Sequence, residues 1–438
     1  MDMLSEKSAT SSPFEKVPPY SWVVLGILGV VNSINYMDRW VMSVLIEPIK
    51  HDLGLSDTQM GLLTGLSFSI GYAIFAMPIA RIADNGNRRN VLVWSISFWS
   101  LMTGLAGFAQ QFWQLFLARL GIGIGESGCI PSGQSMIADY FPRDRRPFAQ
   151  SVFSAGSMLG KILGIGGAGF LVAWAGWQGT LMIMAIPGFI MALVVRFAIR
   201  EPKPGQFDPP CPQEPIAAWP AFRSLIAIPS YTLMIGALAT SNLVIFGVQN
   251  WSPAFYMRIH GLSAMEVGAA IATVVGVGSA VGLLTGGYAM QRLMRRDPCW
   301  AARVAVICHL LAGACSVASF LVASPHVSLL LFAATSIIAS LSSGGVISIK
   351  LDIVDPRCRA LAAALSMTVI SVIGLGLGPL VVGALSDFFA ASEGSEGLRI
   401  ALAVTAAFNV VPAAFYFAAS RTLRADLAAR EAAQLKAV

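Results

Sequence analysis

Five ionisable side chains stand inside long apolar stretches: Asp38, Arg39, Arg119, Glu126 and Lys161. A charge at the centre of a bilayer costs about 3 kcal/mol or more unless it is paired or wet, so each is a functional candidate. All five fall in the first half of the chain, and the mid-span stretches of the second half hold no comparable acid or base. Ion coupling is therefore expected in the N-terminal half. The C-terminal half is expected to offer a substrate neutral polar and apolar surface.

Helical geometry orders the five. Arg119 and Glu126 are seven residues apart, which places them within roughly 20° of one face and about 10 Å apart along the axis. Asp38 and Arg119 lie at matching depths in the first and fourth spans, so they are expected to pair. Glu126 sits deeper, between burial and the charges of Arg119 or Lys161, a balance that lets a carboxyl trade its proton for a substrate or an arginine. The expected proton carriers are Asp38 and Glu126, with Arg119 changing partner between them and meeting an anionic headgroup when released. Arg39 lies about 100° round the helix from Asp38 and is left to serve Glu126 or another helix. Lys161, among the glycines of "GSMLGKILGIGG", has three openings: a bridge to Glu126, a phosphate, or a path along its helix to wet surface.

The elements that hold these groups follow from composition. The chain has 438 residues, 56% hydrophobic and only 12% charged, against about 25% charged in soluble domains. Apolar runs near 20–46, 58–83, 90–110, 112–139, 147–174, 178–199, 231–256, 264–290, 300–323, 327–349, 359–386 and 398–420 each approach the roughly 20 residues that span a bilayer. They lack period-two alternation, so they are helices, and the class is all-α polytopic. Residues 1–19 are polar and the first apolar run is too long for a cleaved leader, so the first span is expected to be retained.

Of the 29 basic residues, only Lys50, Arg258 and Arg399 fall in the alternate loops, and only Arg39, Arg119 and Lys161 inside spans. The rest, Lys350 and Arg357 among them, are assigned to the termini and every second loop, which makes both termini cytoplasmic. The net charge of +6 is then a topology signal rather than a nucleic-acid footprint. The six cysteines show no metal-type spacing and are expected to be free thiols. His309, alone on the ninth span, reads as a polar packing residue. No cofactor or metal is expected.

Seven prolines in "EPKPGQFDPPCPQEPIAAWP" (201–220) break any continuous helix and mark a linker. The expected division is 1–200, 201–220, 221–420 and a tail at 421–438. The two larger segments echo each other: "ADYFPRDRR" at 138–146 answers "LDIVDPRCR" at 351–359, and Arg88-Arg89 answers Arg295-Arg296. A unit used twice is a transporter signature, with substrate bound where the halves face each other.

"ARIADNGNRR" at 80–89 resembles the signature loop of the major facilitator superfamily, G-x-L-A-D-R-x-G-R-R, keeping Ala83, Asp84, Arg88 and Arg89. Its second-half counterpart, "GYAMQRLMRR" at 287–296, has Gln291 where the acid belongs. The resemblance implies twelve helices in two pseudo-symmetric six-helix bundles, with a cytoplasmic gate at Asp84, Arg88, Arg89 and Arg145 that latches one state closed. "NYMDR", "IEPIKHDLGLSDTQMGLLTGLSF", "ARLGIGIGESG", "ADYFP" and "GLGLGPLVVGALSD" together resemble the spinster-like members of that superfamily. This implies translocation of lysophospholipids or sphingoid phosphates with protons as the coupling ion, by a monomer in a bacterial inner membrane.

On the seventh span Asn242 and Gln249 share a face, with Asn250 and Phe246 near them; these are the expected cavity lining. A charged wall facing an apolar, aromatic one suits an amphiphile with an anionic head. A polar set on the second-half wall would instead favour a symporter of sugar acids. "GIGIGESG" resembles a phosphate-binding glycine loop but follows no strand, so close helix packing explains it better. "GLGLGP" marks span eleven as bendable. No nucleophile, metal cluster or acid-base pair at catalytic spacing points to an enzyme, and the internal two-fold repeat argues against a channel built from an oligomer.

Overall fold

The computed structural model describes residues 17–142, 144–203, 205–207, 218–355 and 358–436. Lys7, Lys16, Arg143, the linker residues 208–217 and Arg357 lie outside the described residues, as does the side chain of Asp84. The described chain is helical throughout. In the first half come α1 (Pro19–Leu53), α2 (Asp57–Gly61), α3 (Ser67–Asn85), α4 (Arg88–Ala106), α5 (Phe112–Glu126), α6 (Cys129–Tyr140) and α7 (Arg146–Ala198). After α8 (Ala218–Ile226) come α9 (Pro229–His260), α10 (Ala264–Arg296), α11 (Trp300–Leu321), α12 (Pro325–Leu341), α13 (Ser343–Asp352), α14 (Arg359–Val369), α15 (Gly378–Glu393), α16 (Gly397–Ala407) and α17 (Val410–Lys436). Residues 421–436, expected as a tail, continue α17.

Eight described helices are long and apolar enough to cross a membrane, and two of these, Arg146–Ala198 and Leu361–Arg430, are compound, each long enough for two spans. The 53-residue α7 turns at Gly176, whose φ of 68° belongs to the left-handed region that glycine enters without steric cost. It therefore supplies two spans, as the sequence runs 147–174 and 178–199 anticipate. Span four is broken at Ser127–Gly128, so that Glu126 is the last residue of α5. Wider π-helical segments, bonded from i to i+5, interrupt span two at Leu62–Leu66 and span eleven at Ile370–Leu377. Such π segments gather at functional sites. Here they cross: a side chain at Gly65 would collide with the backbone of Leu375 and Gly376, and one at Gly61 with Pro379.

Packing divides the molecule by level. The face where α1 begins and α17 ends is called here the terminal face, and the opposite one the distal face. Toward the distal face one apolar core joins both halves, from Val44 and Leu45 through Leu181 to Trp251, Phe255 and Val382. Toward the terminal face there are two separate cores. One holds Leu28, Phe68, Trp99 and Phe153, the other Tyr231, Met290, Ile353 and Tyr416. The terminal-side segments follow suit: α6 packs on α1, α3, α4, α5 and α7, and α13 on α10, α11, α12 and α14. The halves meet at one end and part at the other.

Lys350 departs from its assignment to a loop. It is 8% exposed, at the end of α13, and its ammonium donates to Ser366 Oγ at 2.7 Å.

Candidate functional site

Glycines bring the first-half charges together. Gly156, Gly160 and Gly164 lie at four-residue spacing on α7, and a side chain on any of them would strike the α1 backbone near Gly29, Ser33 or Met37. Small residues at that interval let helices approach closely. In "GIGIGESG", Gly123 rests against the Phe68 backbone and Gly125 against that of Trp99. This presses α5 onto α3 and α4 and carries Glu126 toward α1.

Arg39 Nε donates to Glu126 Oε2 at 2.5 Å, and Glu126 is 0% exposed. The same guanidinium lies 5.0–5.1 Å from the ring centres of Tyr36, Phe68 and Tyr72. An arginine over such rings gains on the order of 0.5–2 kcal/mol, which offsets part of its desolvation. Asp38, 3% exposed, points the other way, as the 100° between neighbours requires, and accepts from Thr103 Oγ1 at 2.5 Å. Arg119, expected to pair with Asp38, has no carboxylate in contact among the described residues. Its Nε reaches Leu63 O at 3.4 Å and it lies over Phe68, while Asp38 and Glu126 act on it through space. The guanidinium on Glu126 is thus Arg39. Glu126 Oε1, Asp38 Oδ1, Arg39 Nη2 and both polar atoms of Asn35 are buried without a hydrogen-bond partner among the described residues. Buried polar groups are ordinarily satisfied, so this cluster makes the region a candidate site.

Lys161 neither bridges Glu126 nor threads to the surface. Its Nζ donates to Gln249 Oε1 at 2.5 Å and sits 4.1 Å from the Trp40 ring centre, and Trp40 stacks on Phe246. Lys161, Gln249 and Phe246 therefore lie at the contact between halves. Asn242 donates to Leu238 O within its own helix, and Asn250 is buried with its carbonyl oxygen unpartnered. Beyond Gln249 a cavity of about 130 Å³ opens among α9, α10, α11, α12 and Asn409. A wider one, about 460 Å³, lies on the distal surface beside Asp52 and Trp177, away from the charge set.

At the terminal face Arg88 pairs with Asp139 and, at 2.8 Å, with Glu201, whose other oxygen accepts from Arg89 N. These contacts stay within the first half and the start of the linker, and none reaches the second half. Arg145 is exposed, 3.8 Å from Asp144.

The distal face carries a network that sequence reading missed. Arg258 donates to Glu47 (2.6 Å) and to both oxygens of Asp57 (2.7 and 2.8 Å). Lys50 and Ser386 also donate to Asp57, and Asp387 accepts from the backbone N–H groups of Asp57 and Thr58. First and second halves are joined here by charge-assisted hydrogen bonds. The signal was present: Lys50 and Arg258 are two of only three bases in the alternate loops. Among the described residues no cluster of His, Cys, Asp or Glu could hold a metal ion.

Residues 28–379 match the Major Facilitator Superfamily. The chain belongs to that superfamily. Its helices accordingly make twelve spans in two six-helix bundles: α4 and the broken α5–α6 pair are spans three and four, and the two compound helices supply two each. An MFS-type efflux pump of Mycolicibacterium smegmatis is 32% identical over 94% of this chain and 95% of its own. Protein spinster homolog 1 of Xenopus tropicalis is 27% identical over 93% and 82%. The crystal structure of a bacterial homolog to the human lysosomal transporter Spinster, inward-facing and unoccupied, superposes with a TM-score of 0.86 at 30% identity, covering 94% of this chain and 99% of that one. This is a spinster-like secondary transporter of the superfamily, not an enzyme.

Proposed function

We propose that the chain carries amphiphiles with an anionic head, of the lysophospholipid or sphingosine-phosphate kind, by alternating access coupled to protons. It does so as a monomer in a bacterial inner membrane, with both termini cytoplasmic and the terminal face therefore inside. The division at the linker, 1–200 and 221–420, gives the two bodies that rock. The observation that carries the alternating-access reading is the apolar core that is single toward the distal face and split toward the terminal face.

Glu126 and Asp38 take up the proton. A protonated Glu126 no longer holds Arg39 as a counter-ion, and the guanidinium becomes free for a phosphate or carboxylate. Arg119 and Lys161 add positive charge along the same route. Arg88, Arg89, Arg145 and Asp84 serve the cytoplasmic gate in the opposite state. In this conformation Glu47, Asp57, Arg258 and Asp387 hold the outside closed.

A second reading, a symporter of sugar acids, is favoured by one observation: hydroxyl and amide groups line the second-half cavity behind Gln249. Mass spectrometry of lipid copurified with the protein, followed by uptake of fluorescent lysophosphatidic acid and of radiolabelled glucuronate into proteoliposomes, separates the two. Lysolipid uptake that rises with an imposed pH gradient is expected. Uptake of glucuronate alone would replace the first reading with the second.

A further inference from the structure

The second-half cavity sets neutral polar groups into a wall that is otherwise apolar, with Val244, Val248, Ala312 and Phe332 among its lining. Its wall includes Ser279, His309, Ser316, Thr335, Ser336 and Asn409, with Gln249 at its edge, and no charged residue lines it. Thr335 donates to Leu331 O at 3.0 Å and Ser336 to Phe332 O at 3.1 Å, so each spends its hydrogen on its own helix and turns lone pairs to the cavity. Ser316, 2% exposed, and Ser279 have no partner among the described residues and are free to donate or accept.

Both ring nitrogens of His309 are hydrogen-bonded. Asn409 Nδ2 donates to Ala406 O, so Asn409 Oδ1 accepts from His309 Nδ1 at 3.0 Å. The remaining ring nitrogen, Nε2, shares a hydrogen bond with Ser241 Oγ, also at 3.0 Å. Asn409 can reach the ring because span twelve breaks there, between α16 and α17.

A wall of this kind rejects an anion, because a buried carboxylate or phosphate without a cation is heavily penalised. It also lacks the carboxylate that a buried ammonium requires. What it satisfies is a neutral group that both donates and accepts, and 130 Å³ admits a small one. We propose that this cavity binds the polyol portion of the substrate, vicinal hydroxyls attached to the anion that the first half attracts. Gln249, shared between the cavity edge and the Lys161 contact, sets polyol and anion side by side. The inference rests on the transport reading for its substrate, and it covers two sources of one chemistry: a glycerol-bearing lipid headgroup and a free sugar acid.

The test is tryptophan-fluorescence titration of the purified full-length protein with two probe pairs. Lysophosphatidylglycerol is compared with lysophosphatidic acid of the same chain, and glucuronate with hexanoate. The wild type is expected to prefer the hydroxylated member of at least one pair by about tenfold. Preference in the first pair identifies a lipid source, in the second a sugar acid. The preference is expected to fall to within about twofold in Thr335→Val/Ser336→Ala and to persist in Thr335→Ser. Should the double variant not fold, Ser279→Ala carries the same expectation. Ratios near one for both pairs in the wild type, or a ratio that survives the cavity variants, would overturn the inference. Titration needs no gradient, so the two readings fail separately. Absent uptake with preserved preference counts against transport alone, and lysolipid uptake without preference against the polyol site alone.

Discussion

Arg39 and Glu126 form a buried ion pair in the first half. Breaking a buried pair from one side leaves an uncompensated charge, which costs about 3–5 kcal/mol. Arg39→Leu is therefore expected to lower stability by about that amount in detergent, and Arg39→Leu/Glu126→Gln to recover much of the loss. Additive effects of the two changes would show that they do not interact. The five charges could be found in the sequence because hydrophobic surroundings make any charge conspicuous. The divergence of Asp38 and Arg39 followed from helical geometry and is seen in their separate partners, Thr103 and Glu126. The guanidinium on Glu126 was left open between Arg119 and Arg39, and it is Arg39. Depth along two helices leaves rotation open, and the cage of Tyr36, Phe68 and Tyr72 that draws Arg39 inward is made of aromatics indistinguishable in sequence from ordinary packing.

Among the elements, the contact of α1 with α7 depends on the absence of side chains at three glycines. Gly160→Leu sets a branched side chain against the Ser33 backbone. It is expected to destabilise by about 1–3 kcal/mol or more, read as a lowered melting temperature with loss of the monodisperse peak. Gly167→Leu, where an added Cβ would meet only the Met184 methyl at 3.4 Å, is expected to be milder. Equal tolerance at both positions would remove close approach as the reason for the glycines. Most spans were legible to within a few residues, since long apolar runs leave little choice in a bilayer. The break in span four at Ser127–Gly128 and that in span twelve at Asn409 were not. Both fall in stretches whose hydropathy continues across the gap, and the tertiary contacts there decide the backbone.

At the scale of the whole molecule, the distal network and the shared apolar core hold the halves together at one end. Removing Arg258 deprives Glu47 and Asp57 of their common partner. Arg258→Ala is expected to move spin labels at positions 51 and 265 toward longer separations by double electron–electron resonance, because a closed state that loses several kcal/mol of contacts cedes population to the open one. An unchanged distance distribution would deny the network its role as a seal. The doubled architecture was readable from the repeated strings and the alternation of basic loops. The closed end was not, since a sequence describes both states of a two-state carrier equally. The most direct test of proton coupling through the first half is proton flux into proteoliposomes on addition of lysophosphatidic acid. The wild type should show substrate-dependent flux, reduced at least tenfold in both Asp38→Asn and Glu126→Gln; undiminished flux in the two variants would contradict it.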